Sequence, residues 1–427
     1  MASTAPDYSA EGTAKVEGLR YAARQPILDS HGVLHGYELL FREGPINSFS
    51  GDGNAATRAM LDNTLFFGLD RLSGGLPVFV NCTEEALRER MVLVLPPTHT
   101  VLELLETIDP TDALLAICHE LKGLGYRFAL DDFVLSAAWK PFIALADYIK
   151  VDLSITTPQQ RAALVAYLRS CKPVPKVQLV AERVETEVEL AIAMQEGFKL
   201  FQGYFFCRPI IFHNRTIPAN QLVRLKILQE VTRTPLDTHL ISNLVKRDAS
   251  LTYRLLRVVN SPIYGLRKEI RSIHAALILA GDEMFRRVLT LAITAELVGN
   301  RPTEILRMSF LRGRFCELAA PELGRDPTEQ YLLGILSLMP AMLQVPMEQI
   351  VHSMPLRGPV QAALLGESNT ERTLLEWLMS YEIGDWESCD RVAAKAGLPA
   401  AMLLDLYGTA VLWAETNLSL PAFSKKS

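Results

Sequence analysis

The sequence predicts an α/β barrel followed by an all-α helical bundle, on three observations. In the first half, short apolar runs alternate with helix-period segments, the pattern of a largely parallel sheet, and this many repeats within roughly 190 residues suggest a closed barrel. Most of these runs end in a polar residue, as strands do when they open onto a shared mouth. Beyond about residue 220 the strand signal gives way to helical periodicity almost throughout.

Length and composition agree with two domains. A chain of 427 residues exceeds one simple core. The expected division is a tail over 1–18, a barrel over 19–212, a linker over 213–220 and a helical domain over 221–427. Hydrophobic content of 49% with 21% charged residues is that of a globular chain rather than a disordered one. A formal charge of -5 gives no bias toward nucleic acid or an anionic membrane. Cys82, Cys118, Cys171, Cys207, Cys316 and Cys389 are scattered without CxxC spacing, which reads as reduced core thiols in a cytoplasmic protein. No apolar window reaches membrane-spanning length, and the start carries no secretory leader pattern.

Taken in order, 20–28 and 33–41 read as two extended runs around Asp29-Ser30-His31-Gly32, a hairpin signal. A polar stretch over 43–54 leads to an amphipathic helix over 55–69. Strands follow at 77–81, 100–105, 127–131, 147–152, 177–182 and 200–206, with helices such as 110–124 and 158–170 between them. In the second half helices are expected at 221–230, 236–247, 250–260, 273–280, 282–298, 304–319 and 327–343. Shorter ones follow at 346–351, 358–365, 371–381, 386–396 and 399–417.

The strand ends carry the chemistry. Asn81 ends PVFVN, Glu103 sits in VLELLE, and Asp131 and Asp132 end FALDD. Lys150 lies in YIKVD beside Asp152, Glu182 ends VQLVAE, Gln202 sits in LFQGYFF, and Glu38 joins from GYELLFR. Adjacent carboxylates repel, so a protein that collects them usually supplies a cation. Oxygen ligands without His or Cys suit Mg²⁺ or Mn²⁺ rather than zinc. One lysine among them can orient a water or neutralise a phosphate. Phosphodiester hydrolysis by metal-activated water requires such a set.

These residues carry a resemblance to the EAL domain, the family of bacterial cyclic-di-GMP phosphodiesterases with a TIM-like barrel. The matching stretches are RQPI at 24–27, YELLFR at 37–42, FVN at 79–81 and LELLE at 102–106, then DDF at 131–133, IKVD at 149–152, AERVET at 181–186 and QGYFFCRP at 202–209. The resemblance implies that Glu38, Asn81, Glu103 and Asp131 hold one metal, with Asp131 bridging to a second near Asp132. It implies that Lys150 and Glu182 position the attacking water, and that Gln25 and Arg42 touch the guanine and phosphate of the dinucleotide.

Two departures bear on activity. Where the family has a Gly-Thr-Gly-Tyr-Ser-Ser type of loop, this chain has Val134-Leu135-Ser136-Ala137-Ala138-Trp139, residues that do not reach the conformations glycine allows. The segment between Asn81 and Glu103 is short for a complete wall helix. Both imply weakened support around the metal ligands.

The stretch over 251–281 resembles the HDOD domain, a relative of the HD-GYP phosphohydrolases, through Asn260-Ser261, Tyr264-Gly265 and the helix start at Ser272-Ile273. At the position of the metal-binding His-Asp dyad this chain has Ser337 and Leu338, so no metal is expected in that half. Basic residues such as Lys246, Arg247, Arg254, Arg257, Arg286 and Arg287 read as solvated helix faces, with nucleic acid disfavoured.

The expected function is a cytoplasmic bacterial signalling protein with a degenerate, catalytically weak or inactive EAL domain. It would act through cyclic-di-GMP sensing or through signalling partners docked on the HDOD half. The alternative is an active Mg²⁺- or Mn²⁺-dependent phosphodiesterase producing pGpG, and the third is a nucleic-acid-associated regulator.

Overall fold

The structure, a computed structural model, describes residues 20–43, 73–207, 217–233, 235–262, 270, 272–299, 301–354, 356–420 and 423. The tail expected over 1–18, most of the polar stretch over 43–54 and the helix expected over 55–69 lie outside the described residues.

Eight strands close into a barrel in chain order. They are β1 (Arg20–Asp29), β2 (Leu34–Glu43), β3 (Val78–Cys82), β4 (Thr100–Leu104), β5 (Arg127–Leu130), β6 (Tyr148–Asp152), β7 (Gln178–Glu182) and β8 (Leu200–Gln202). β1 runs antiparallel to β2 and β8, and every other pair is parallel. The β1–β2 turn is set by Asp29, whose Oδ1 accepts from the backbone N–H of His31 and of Val33 at 2.8 Å each. β8 is shorter than the run expected at 200–206, because Gly203 at φ 145° turns the chain into a 3-10 segment, Tyr204–Cys207.

Helices α1 (Glu84–Arg88), α2 (Asp112–Gly123), α3 (Lys140–Ile143), α4 (Pro158–Ser170) and α5 (Glu187–Glu196) line this half. Thr157 with Gln160 and Thr186 with Glu189 form capping boxes that start α4 and α5, so each helix begins at a defined residue beyond its strand. The link from β3 to β4 holds only the five-residue α1 and a short 3-10 segment, Met91–Val94. The stunted wall expected there is present.

Alternation along the strands separates two layers. Ile27, Phe79, Val101, Ala129, Tyr148, Val180 and Leu200 form a closed apolar cluster inside the barrel. Two residues beyond the six on β3–β8 stand Asn81, Glu103, Asp131, Lys150, Glu182 and Gln202. A period of two keeps both sets on the same face, so the apolar plug is the floor on which the polar set stands.

Among the described residues the second half is helical throughout: α6 (Ala219–Thr232), α7 (Thr238–Lys246), α8 (Ala249–Val259), α9 (Ile273–Val298), α10 (Thr303–Ala319) and α11 (Pro327–Leu336). They are followed by α12 (Met339–Leu343), α13 (Met347–Ser353), α14 (Gly358–Leu364), α15 (Thr373–Glu382), α16 (Trp386–Ala396) and α17 (Ala400–Leu418). α6 begins at Ala219, inside the linker expected at 213–220. The helix expected over 327–343 is divided at Ser337 and Leu338, ahead of Pro340, which has no N–H to continue the ladder. The break expected near residue 281 is there, with Gly281 at φ 76° inside α9. All six cysteines are free, four of them buried. Among the described residues no single helix is long and apolar enough to cross a membrane.

α10 and α11 cross at a glycine contact. A Cβ on Gly334 would lie 2.5 Å from the Arg312 carbonyl oxygen, which is backbone and cannot step aside. Gly334→Ala is therefore expected to cost about 1–3 kcal/mol by overpacking, read as a lowered urea midpoint; an unchanged midpoint would refute the tight crossing.

Candidate active site at the barrel mouth

Lys150 is the centre of the site. Its Nζ lies 2.9 Å from Glu38 Oε2, 2.8 Å from Glu103 Oε1, 2.7 Å from Asp131 Oδ1 and 2.9 Å from Glu182 Oε1. Lys150 and Glu103 are fully enclosed. Glu38 also accepts from Gln202 Nε2 at 2.8 Å and from Asn81 Nδ2 at 3.3 Å. Gln202 Nε2 donates as well to Gln25 Oε1 at 2.8 Å. The structure thus gathers eight of the ten residues expected at the site: Gln25, Glu38, Asn81, Glu103, Asp131, Lys150, Glu182 and Gln202. Asp132 sits beside the cluster in a left-handed conformation, φ 41°. It lines the same cavity without joining the carboxylates on Lys150. The side chain of Arg42 lies outside the described residues.

One ammonium serves four carboxylates, and the protonation preferences follow. Burial pushes Glu103 well above the usual carboxylate range, and Glu38 adds to the push. Burial raises Asp131, and it raises Glu182 to about 8. At Glu38 burial also acts upward, but Lys150, Gln202 and Asn81 reverse it and hold the group low. Lys150 would be lowered by burial, yet Glu103, Glu182, Glu38 and Asp131 keep it charged well above the usual lysine range.

Several acceptors are left over. Asn81 Oδ1, Glu103 Oε2, Glu182 Oε2 and Gln202 Oε1 are buried with no hydrogen-bond donor. Buried unpartnered oxygens are costly, and a divalent cation is the natural partner for this many hard donors. Among the described residues no ready cage of three or more acidic, His or Cys side chains exists, because the carboxylates turn onto Lys150. The chemistry of the set, all oxygen with excess negative charge, fits Mg²⁺ or Mn²⁺.

A cavity of about 730 Å³ opens above the cluster, within the range of small-molecule sites. Its barrel side includes Gln25, Glu38, Asn81, Asp132, Asp152 and Arg183. Its other side is helical-domain surface, including Glu304, Arg307, Trp386 and Tyr407. Sequence reasoning missed these last four. They come from three helices, α10, α16 and α17, far along the chain from the barrel strands.

The helical half has its own buried centre. Arg312 Nε and Nη2 reach Glu382 Oε1 and Oε2 at 3.0 and 2.6 Å, and Nη1 donates to Ser337 Oγ at 3.1 Å. An ion pair occupies the neighbourhood of Ser337. Three of the basic residues of this half are engaged locally. Arg254 pairs with Glu296, Arg287 with Glu283 and Glu317, and Arg286 donates to the Val231 and Arg233 carbonyls.

Comparison with known proteins gives a consistent picture. The EAL domain family matches residues 55–209 and the HDOD domain family residues 217–350. The cyclic di-GMP phosphodiesterase CdgJ of Vibrio cholerae is 33% identical over 382 residues, covering 88% of each chain. The Bacillus subtilis protein YuxH is 32% identical over 383 residues, covering 87% of this chain and 93% of its own. An EAL domain protein of Listeria monocytogenes, of known crystal structure, is 22% identical over 44% of this chain and 87% of its own, with a TM-score of 0.35. The chain belongs to the family of signalling proteins that join an EAL barrel to an HDOD helical domain.

Proposed function

We propose that this protein is a divalent-metal-dependent phosphodiesterase that opens cyclic-di-GMP to linear pGpG. The observation that carries this reading is the complete carboxylate set around Lys150, with buried acceptor oxygens still lacking a donor. CdgJ, related over 88% of this chain, is named a cyclic di-GMP phosphodiesterase.

Glu38, Asn81, Glu103 and Asp131 would hold one Mg²⁺ or Mn²⁺, and Asp131 with Asp132 would face a second. Such ions, when bound, lower the pKa of water and stabilise charge on the phosphoryl oxygens. Lys150 and Glu182 hold the attacking water in line: the ammonium donates to its oxygen and the Glu182 carboxylate accepts its proton. Gln202 fixes the side chains of Glu38 and Gln25, and Gln25 with Arg42 orients the dinucleotide. The helical half serves as a binding module for other signalling proteins.

A second reading, a cyclic-di-GMP receptor without turnover, is favoured by the glycine-free loop over 134–139 and the stunted β3–β4 connection. Loss of outer support commonly costs 10–100-fold in metal affinity or activity. Calorimetric titration of cyclic-di-GMP with Mn²⁺, followed by product analysis, separates the two. Formation of pGpG supports the enzyme, binding without product supports the receptor, and no binding overturns both.

For the enzyme, Glu38→Ala is expected to lower turnover by more than about a hundredfold while the far-ultraviolet dichroism stays unchanged. A chelator should abolish activity and added Mn²⁺ restore it. Full activity in Glu38→Ala would remove Glu38 from the ligand set.

A further inference from the structure

The β1–β2 hairpin differs from the rest of the barrel in what covers it. Strands joined by a crossover carry a helix on their outer face, but the link from β1 to β2 is a tight turn and supplies none. α15 of the helical domain packs on β1. The tip of the hairpin meets the start of α10: a Cβ on Gly32 would lie 2.5 Å from Pro302 Cγ. At the other end a Cβ on Gly384, at φ 74°, would lie 2.9 Å from Leu40 Cδ1 of β2.

Polar ties run through the same contact. Arg24 Nη1 of β1 lies 2.8 Å from Glu415 Oε1 of α17, and the Tyr37 hydroxyl of β2 donates to Glu304 Oε2 of α10 at 3.0 Å. Arg307 bridges the far ends, with Nε 2.8 Å from Glu304 Oε2 and Nη1 paired to Glu415. The Arg24 guanidinium stands over the Tyr37 ring, 4.8 Å from its centroid. Arg24, Tyr37 and Glu304 are all buried. Each barrel residue of the network is the chain neighbour of a site residue, Arg24 of Gln25 and Tyr37 of Glu38.

We infer that the helical domain is a working part of the barrel's ligand site, with Arg24 and Tyr37 as positioning residues that hold Gln25 and Glu38 through Glu415 and Glu304. Neighbouring residues of a strand face opposite ways, so a tie on the outer face sets the inner one. The inference rests on the proposed function in one respect, that Glu38 is a metal ligand. Its consequence is reciprocal: whatever loosens the helical domain weakens the metal site, and metal tightens the contact.

The test is made on the full chain with Mn²⁺ alone. The double variant Tyr37→Phe, Glu415→Ala removes both ties without touching the cavity floor. It is expected to raise the Mn²⁺ dissociation constant about tenfold and to speed amide hydrogen exchange in β1 and β2. Arg224→Gln breaks comparable ion pairs to Asp248 and Glu296, at 2.8 and 3.0 Å, inside the helical half. It is expected to leave both readings unchanged. An unaltered Mn²⁺ affinity in the double variant, or an equal loss in Arg224→Gln, overturns the positioning role and leaves the proposed function standing. If the unmodified chain binds no Mn²⁺, the proposed function falls and this inference with it.

Discussion

Lys150→Met is expected to cost about 3–5 kcal/mol of stability in the metal-free protein at neutral pH, the usual penalty for breaking a buried charge pair. Four carboxylates share that ammonium within 2.7–2.9 Å, and methionine keeps the bulk while removing the charge. The loss should depend on pH. Burial already raises the carboxyls of Glu103, Asp131 and Glu182, the last to about 8. Without the lysine they rise further. The folded variant then holds protons that the unfolded chain gives up, so stability falls as pH rises from the unfolded carboxylate range, near about 4.5, through 8. Urea unfolding at pH 5 and pH 8 measures this directly. A loss that is the same at both pH values would show that Lys150 acts by packing alone.

Gly203→Ala should be nearly as damaging and should act on the site from outside it. Gly203 has φ 145°, and a Cβ there would lie 2.1 Å from the Val184 carbonyl oxygen and 2.6 Å from its nitrogen. Both obstacles are backbone. Val184 N–H donates to Gln202 O at 3.0 Å and Phe205 N–H to Val184 O at 3.1 Å, so relief of the clash pulls apart the strand ends that carry Glu182 and Gln202. Backbone strain and overpacking together put the cost at about 3 kcal/mol or more. Thermal unfolding and Mn²⁺ titration of the same sample are expected to show both lowered stability and weakened metal binding. A variant with unchanged affinity would separate this turn from the mouth.

Much of this site was legible because a barrel strand writes its function in two registers. In PVFVN, Phe79 joins the floor and Asn81 the mouth; in YIKVD, Tyr148 and Lys150 do the same. A period of two within a five-residue run is visible in the sequence. The helix expected over 158–170 was legible as well, and it starts at Pro158 behind the Thr157–Gln160 capping box.

What stayed hidden depends on distance along the chain. Glu304, Arg307, Trp386 and Tyr407 reach the cavity from α10, α16 and α17, and nothing in their local sequence tells them from ordinary helix residues. The division of the expected 327–343 helix was missed for a local reason: a strong apolar pattern masked the stop that Pro340 imposes. The substituted loop at 134–139 weighed heavily in the sequence reading. The structure adds that the carboxylates on Lys150 come from strands or, for Asp131, from the residue just past β5, rather than from that loop.

The pairing of Arg24 with Glu415 also sets an order of events at the ribosome. The last barrel strand ends at Gln202, but Glu415, the partner of Arg24 on the first strand, belongs to α17, roughly two hundred residues later. At synthesis rates of about 5–20 residues per second, the nascent barrel waits on the order of 10–40 s with its first hairpin uncovered. Contacts between the two ends of a chain are slow to form and leave apolar surface exposed meanwhile. Cover of the first hairpin therefore comes late in synthesis, and a chain cut short before α17 would carry the mouth residues without the Arg24–Glu415 tie.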